Sequence, residues 1–214
     1  MKVFSSWSGG KECALATYQV ISQGHEVLYL LNFISENGER SRSHGTKASV
    51  LALQAEAIGI PLVQVKTSWE GYEQNFKKAV RELKDKGIEG GVFGDIDIEE
   101  HRDWVERVCG EVGIKAFLPL WGVTPEKLID EFLGLKFKAM VVATRLDENL
   151  LGKVLNKGLV RQIRRLGSHP CGENGEYHTF VTGGPIFTKA LRVTGGQNRK
   201  IDEMWFQDIS AEPG

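Results

Sequence analysis

Cysteine is scarce: the 214 residues contain three, Cys13, Cys109 and Cys171, with no Cys-x-x-Cys spacing. An odd, scattered set excludes a disulfide framework and a cysteine-rich zinc module, and points to a reducing cytoplasm. No apolar run approaches the ~18 residues of a membrane span, and the opening Met1-Lys2-Val3-Phe4-Ser5-Ser6 lacks a secretory h-region. Neither sign of charge dominates, since 27 Lys and Arg face 28 Asp and Glu for a net charge of −1. That balance excludes affinity built on broad phosphate-backbone neutralisation, so no extended nucleic-acid surface is expected. Glycine is abundant instead, with 25 residues, about 12% against an average of ~7%. No low-complexity tract absorbs them, so they belong to specific turns and loops. Hydrophobic residues at 41% and charged residues at 26% make an ordinary globular balance.

Short apolar runs alternate with helical periodicity through the first half. Strands are expected over residues 2–5, 26–34, 62–65, 91–93 and 115–118, and helices over 11–23, 47–57, 72–83 and 98–112. The alternation indicates βαβ units and a parallel sheet. After Trp121 the pattern changes. Thr124 and Pro125 open a helix, 136–144 reads as a strand, and 150–166 as a helix weakened by Gly158. Residues 189–194 and 202–208 make an antiparallel hairpin hinged at Gly195-Gly196-Gln197-Asn198. The expected class is therefore α/β. A doubly wound parallel sheet spans residues 1–121, and a smaller α+β domain spans 122–214.

Between the first strand and first helix stands Trp7-Ser8-Gly9-Gly10-Lys11-Glu12-Cys13. Glycines let a backbone approach an anion, and the helix start offers free N–H groups and a positive dipole end. Lys11 adds a point charge and Ser8 a hydroxyl donor. The stretch is not a Walker A loop, which needs Gly in place of Ser5 and Ser or Thr in place of Glu12, nor a G-x-G-x-x-G fingerprint. Read bare, it is either an anion site or a packing turn.

Ser41-Arg42-Ser43-His44-Gly45 falls on the strand C-terminal edge, where open α/β sheets bind ligands. His44 there either contacts nucleotide or substrate, or caps the next helix. Gly94-Asp95 ends the fourth strand on the same edge. Asp95 is the better site candidate, because Asp97 and Glu100 have the spacing of a capping box. His101 and Arg102 lie in a first turn facing the crevice, with Trp104 packed inward. Residues 169–180 (HPCGENGEYHTF) are the densest polar stretch. They form either a substrate loop, with Glu176 or His178 as base, or a plain surface loop. A zinc site from His169, Cys171 and His178 lacks a fourth ligand.

Residues 8–13 resemble the SGGxDS loop of the PP-loop, or N-type, ATP pyrophosphatases, with Glu12 for the usual Asp and Cys13 for the usual Ser. The resemblance implies a HUP-like fold and scission of ATP between its α and β phosphates. Ser6, Ser8, Gly9, Gly10, Lys11, Glu12, Cys13, His44, Gly94 and Asp95 would surround the nucleotide, with Glu12 and Asp95 on magnesium. With residues 172–179 (GENGEYHT), 184–187 (GPIF), Gly94-Asp95 and His101-Arg102, nearly the whole chain is similar to one branch, the diphthine–ammonia ligases (diphthamide synthetases), in their compact archaeal form. Eukaryotic members often carry further C-terminal domains, for which this chain has no length. The branch implies a cytoplasmic enzyme, with no membrane partner, that amidates the diphthine carboxylate of elongation factor 2. Ammonium would be the nitrogen donor, and ATP would go to AMP and pyrophosphate through an acyl adenylate. His101, Arg102, Glu173, Asn174, Gly175, Glu176, Tyr177, His178 and Thr179 would bind substrate, and Lys11, Glu176 and His178 would act in catalysis.

Lys153, Lys157, Arg161 and Arg165 recur every fourth residue, a basic stripe that either docks the factor or is a solvated face. Assembly into a homo-oligomer is compatible with the sequence. Two other readings stand: a PP-loop RNA modifier, whose basic surface and Cys-x-x-Cys are missing, and a nucleotide-sensing module without turnover.

Overall fold

A computed structural model describes residues 1–214. Strand and helix alternate through β1 (Lys2–Ser6), α1 (Lys11–Ser22), β2 (Glu26–Ile34), α2 (Ala48–Ile58), β3 (Leu62–Lys66), α3 (Tyr72–Asp85), β4 (Gly90–Val92), α4 (Glu99–Val112) and β5 (Lys115–Phe117). The five strands pair in parallel in the order β3-β2-β1-β4-β5. That order reverses between β1 and β4, where a doubly wound sheet opens a crevice at its strand C-terminal ends. The α/β class read from the alternation is the one observed.

Helices form where apolar residues repeat on one face. On α3, Phe76, Ala79, Val80 and Leu83 are buried. They pack with Phe4, Leu31 and Phe33 of the sheet and with Val105, Val108 and Val112 of α4. Each large side chain buried this way contributes roughly 1.5–3 kcal/mol. Leu15 of α1 and Leu51 of α2 cover the opposite face, in a cluster that continues into the second half through Val141, Phe180 and Leu191. Helix α5 (Pro125–Gly134) joins that cluster with Leu128, Ile129 and Phe132.

The second sheet is antiparallel, in the order β7-β6-β9-β8. Its strands are β6 (Lys138–Thr144), β7 (Tyr177–Gly183), β8 (Leu191–Ile201) and β9 (Met204–Pro213). Four local expectations are corrected here. The helix expected over 150–166 starts only at α6 (Lys157–Arg165), because the Asn156 side chain accepts from the Gly158 and Leu159 N–H groups at 2.9 and 3.0 Å. An N-cap of this kind outranks a weak continuation of periodicity. Lys153 thereby leaves the basic stripe, and Lys157 pairs with Asp130 at 2.7 Å. The hairpin turns at Asp202-Glu203, with Asp202 at φ 52, while Gly195 to Asn198 is a bulge within it. Asp97 and Glu100 make no capping box: α4 has Ile98 at its N-cap, and Asp97 Oδ2 lies 3.3 Å from His169 Nε2. The strand expected from 136 begins at Lys138, because Lys136 takes a left-handed φ of 64° just beyond α5.

Gln54 on α2 is fully buried and joins three segments. It accepts from Trp7 Nε1 at 2.9 Å and donates to the Gly9 and Val181 carbonyls at 3.1 and 2.6 Å. Gln54→Leu leaves the buried indole N–H without an acceptor, and should destabilise the fold by about 2–3 kcal/mol. The check is a lowered urea midpoint at unchanged slope.

Candidate active site

Strand β1 ends in the turn Trp7-Ser8-Gly9-Gly10, and α1 begins at Lys11. Gly9 has φ +84, and a Cβ there would meet Leu51 and Gln54 at 2.5 and 2.8 Å, so the turn requires glycine. Ser8 Oγ accepts from the Gly10 N–H at 3.3 Å, and the Cys13 thiol donates to the Gly10 carbonyl at 3.1 Å. Burial pushes the Cys13 thiol above its ordinary pKa, so it stays neutral.

Strand β7 lies directly against this turn. The Val181 N–H donates to the Gly9 carbonyl at 2.9 Å, and the Lys11 N–H to Thr179 Oγ1 at 3.1 Å. The Lys11 side chain is 4% exposed. Its Nζ donates to the Cys171 carbonyl at 2.6 Å, lies 2.5 Å from Glu12 Oε1, and sits 4.5 Å above the Tyr177 ring. Burial opposes the ammonium charge, but Glu12 beside it holds the pKa above that of an ordinary lysine.

A cleft of about 460 Å³ opens at the point where the strand order reverses, a volume typical of small-ligand sites. Ser6, Ser8, Lys11, Glu12, Cys13, His44, Gly94, Asp95, His101, Glu173, Tyr177, His178 and Thr179 all line it. Gly9 and Gly10 shape the turn from behind. A Cβ on Gly94 would come within 2.9 to 3.0 Å of Glu12 and Cys13, so this glycine lets the chain after β4 run close to α1.

His44 does not cap α2, whose N-cap is Lys47; its ring stacks on His178 with centroids 4.4 Å apart. Withdrawal from solvent, His178 and Lys11 hold His44 well below the usual imidazole value. Withdrawal from solvent and Lys11 push His178 down to about 4. Both rings are neutral near pH 7. Asp95 Oδ1 lies 3.4 Å from His101 Nδ1, and this contact raises the His101 pKa. Burial, reinforced by the Glu12 charge, pushes Glu173 up to about 8.

Four expected residues are not brought to the cleft. The Arg102 guanidinium packs 4.7 Å from the Trp121 ring centroid, beside Asp103 at 3.2 Å. Asn174 is exposed at a turn tip, and the Gly175 N–H closes that turn onto the Gly172 carbonyl at 2.9 Å. Glu176, 7% exposed, accepts from the His169 N–H at 3.0 Å and from Asn174 Nδ2 at 3.2 Å. Burial opposes its charge, but the His169 N–H keeps its pKa below the ordinary value. It braces the loop and is not placed as a base. The chain doubles back between Gly172 and Tyr177, which sends Glu173 and His178 inward and the intervening residues outward.

The opposite wall escaped the sequence reading. Trp69, Tyr72, Phe76, Phe93 and Trp104 line it. Trp104, expected to pack inward, is half-buried on the wall and donates to Glu73 Oε2 at 2.9 Å. The available signal was the spacing of Trp69, Tyr72 and Phe76 at the entry to α3. At the mouth, the Arg42 guanidinium lies 4.4 Å over the Trp69 ring. No three His, Cys, Asp or Glu side chains are arranged to hold a metal by themselves.

These features define a doubly wound α/β protein with a glycine turn and a cleft where the strand order reverses, covered by a loop from a second sheet. The diphthamide synthase N-terminal domain matches residues 1–116 and the diphthamide synthase C-terminal domain residues 124–211. The chain belongs to the diphthamide synthase family. It is similar to the diphthine–ammonia ligase of Schizosaccharomyces pombe, at 30% identity over 91% of this chain and 36% of that protein. It thus spans little more than a third of that relative. The diphthine–ammonia ligase of Homo sapiens is 29% identical over 92% of this chain and 84% of that protein. A solved chain described as a predicted subunit of tRNA methyltransferase from Methanocaldococcus jannaschii has a TM-score of 0.49 and 14% identity, over 86% of this chain and 98% of that one.

Glu173 generates a pH-dependent prediction. The unfolded carboxyl ionises near 4.5 and the folded one near 8, so the folded state loses stability as pH rises through that window. Glu173→Gln should raise the thermal midpoint at pH 8 and change it much less at pH 5, as scanning calorimetry can check.

Proposed function

We propose that this protein is an ATP-dependent carboxylate–ammonia ligase that amidates the diphthine carboxylate of elongation factor 2 in the cytoplasm. The observation carrying the reading is the contact of Lys11 with the Cys171 carbonyl, which puts the glycine turn and the 169–180 loop into one cleft. Relatives named diphthine–ammonia ligase, similar over both halves of the chain, support it. Residues 1–121 take the nucleotide, and residues 122–214 present the face toward the factor. The RNA-modifier and sensor readings are not favoured, since the 169–180 loop gives the cleft Glu173, Tyr177 and His178.

A carboxylate does not react with ammonia directly, because its oxygens are poor leaving groups. Attack of the diphthine carboxylate on the α-phosphorus expels pyrophosphate and forms an acyl adenylate, from which ammonia displaces AMP. The positive end of α1 and the Lys11 ammonium stabilise the charge gathering on the pyrophosphate. Lys11 is charged throughout, so its part is electrostatic. Ammonium must shed a proton to become the nucleophile. With Glu176 braced outside the cleft, Glu173 takes that proton, its pKa lifted toward the working pH. Neutral His178 serves as a hydrogen-bonding partner to substrate.

Glu12 Oε1 is buried 2.5 Å from Lys11 Nζ, and the Glu12 carboxylate lines the cleft. With Asp95 in the same cleft, these hard oxygens fit a magnesium ion arriving with nucleotide phosphates, since that ion commonly uses one or two carboxylates plus phosphate oxygens. When bound, it would neutralise negative charge on the triphosphate.

Incubation with diphthine-bearing elongation factor 2, ATP, magnesium and ammonium should release AMP and convert the factor's acid to amide, read by mass. Lys11→Met should lower turnover by about 100-fold or more. Nucleotide binding by the wild type without AMP release or a mass change would overturn the reading.

A further inference from the structure

His169 opens the polar loop and does not line the cleft, yet the loop is wound on it. Three consecutive backbone N–H groups converge on this residue. Those of Cys171 and Glu173 donate to its Nδ1 at 3.2 and 3.4 Å, and that of Gly172 donates to its carbonyl at 2.9 Å. Pro170, next in the chain, has no N–H to satisfy, and its carbonyl accepts from the Tyr177 hydroxyl at 2.6 Å. The His169 N–H is itself taken by Glu176 Oε1 at 3.0 Å.

A neutral imidazole has one acceptor nitrogen, so two N–H donors on Nδ1 leave the ring proton to Nε2. A proton on Nδ1 would face both donors, and the wound loop therefore admits one tautomer. Nε2 then presents its proton toward Asp97, whose Oδ2 lies 3.3 Å away. Asp97 stands between β4 and α4, just beyond the Asp95 that lines the cleft. The ring thus joins a loop of the second sheet to a strand end of the first. What the winding aims is what the reaction needs. The Cys171 carbonyl receives Lys11 Nζ at 2.6 Å, and Glu173 lines the cleft.

We propose that His169 is a positioning residue for the ligation. As the Nε2-protonated tautomer facing Asp97, it winds residues 169–173 so that the Cys171 carbonyl holds Lys11 and Glu173 points into the cleft. The role in turnover rests on the ligase reading, and the winding rests on the hydrogen bonds alone. The two nitrogens of the ring have separable tasks. Asn places an oxygen acceptor where Nδ1 stands and stops short of Asp97. Gln reaches toward Asp97 and sets a methylene where Nδ1 stands, which leaves the Cys171 and Glu173 N–H groups without their acceptor.

The test uses the full chain, with His169→Asn, His169→Gln and His169→Ala compared in the factor assay well below each thermal midpoint. The kcat should fall about 100-fold in His169→Gln and His169→Ala, the scale of a reacting group misplaced by about 1 Å, while His169→Asn stays within about 10-fold of wild type. Hydrogen exchange at the Cys171 and Glu173 amides should be slow in the wild type and His169→Asn, and faster in the other two. Nitrogen-15 shifts of the wild-type ring should place the proton on Nε2. A proton on Nδ1, wild-type kcat in His169→Ala, or a His169→Gln at least as active as His169→Asn would each overturn the role. Should His169→Ala fail to fold, the order of the Asn and Gln variants decides. The arms separate the two ideas: wild-type amidation with the wrong tautomer or variant order removes the positioning role alone. The expected tautomer and amide protection without wild-type amidation removes the ligase reading and leaves the winding.

Discussion

The rest of the site depends on the hydrogen-bonded seam between the glycine turn and β7. The Gly9 carbonyl accepts from the Val181 N–H, and the first N–H of α1 is taken by Thr179 Oγ1. A turn of this kind, left alone, would present its backbone groups to water and sample several geometries. Pinned by a strand from a separate sheet, it has one. The same seam brings the Cys171 carbonyl and the Tyr177 ring onto Lys11, so its ammonium is held in place before any ligand arrives. Preorganisation of this sort is where electrostatic catalysis draws its strength, because the dipoles need not reorient during reaction.

Burial around that seam then sorts the titratable groups. Two imidazoles stacked face to face beside a permanent ammonium lose their proton. A carboxyl among other carboxylates holds its proton longer. The opposite directions share one origin, since burial penalises whichever form is charged and the neighbours' signs decide how far. An acidic group poised near neutrality and neutral histidines therefore coexist within one cleft, while Glu176, a few residues away, is held ionised by the loop's own N–H groups.

The second sheet also controls the far side of the opening. Asp208 on β9 receives both guanidinium nitrogens of Arg40 at 2.9 and 3.1 Å, and the Phe206 ring lies where a Cβ on Gly45 would sit, at 2.8 Å. The loop carrying Arg42 and His44 is tied down by a hairpin more than 150 residues away in sequence. Both rims of the cleft thus answer to the antiparallel sheet, and the apolar cluster running between the halves makes them one structural unit. The parallel sheet supplies the location of the site, and the antiparallel sheet supplies its rigidity.

Much of this was legible in the chain. Periodicity marked the strands and helices of the first half, because burial on one or two faces writes a repeat into the residues themselves. The glycine turn and the 169–180 stretch stood out because close backbone approach and dense polarity each demand particular residue types. What stayed hidden was direction. Arg102 and Glu176 sit in motifs that do reach the cleft, yet their side chains leave it, since a turn tip or a helical step of one residue rotates a side chain away. The start of α6 was misread because a competent Asn156 cap competes with a repeat only in three dimensions. The aromatic wall was hard to see for a related reason: Tyr72 and Trp104 lie on separate helices and Phe93 just beyond β4, and only sheet order makes them neighbours. Local chemistry along the chain thus determined which elements exist and which segments carry function. Long-range packing alone decided which groups meet, how much water surrounds them, and hence which of them hold a proton.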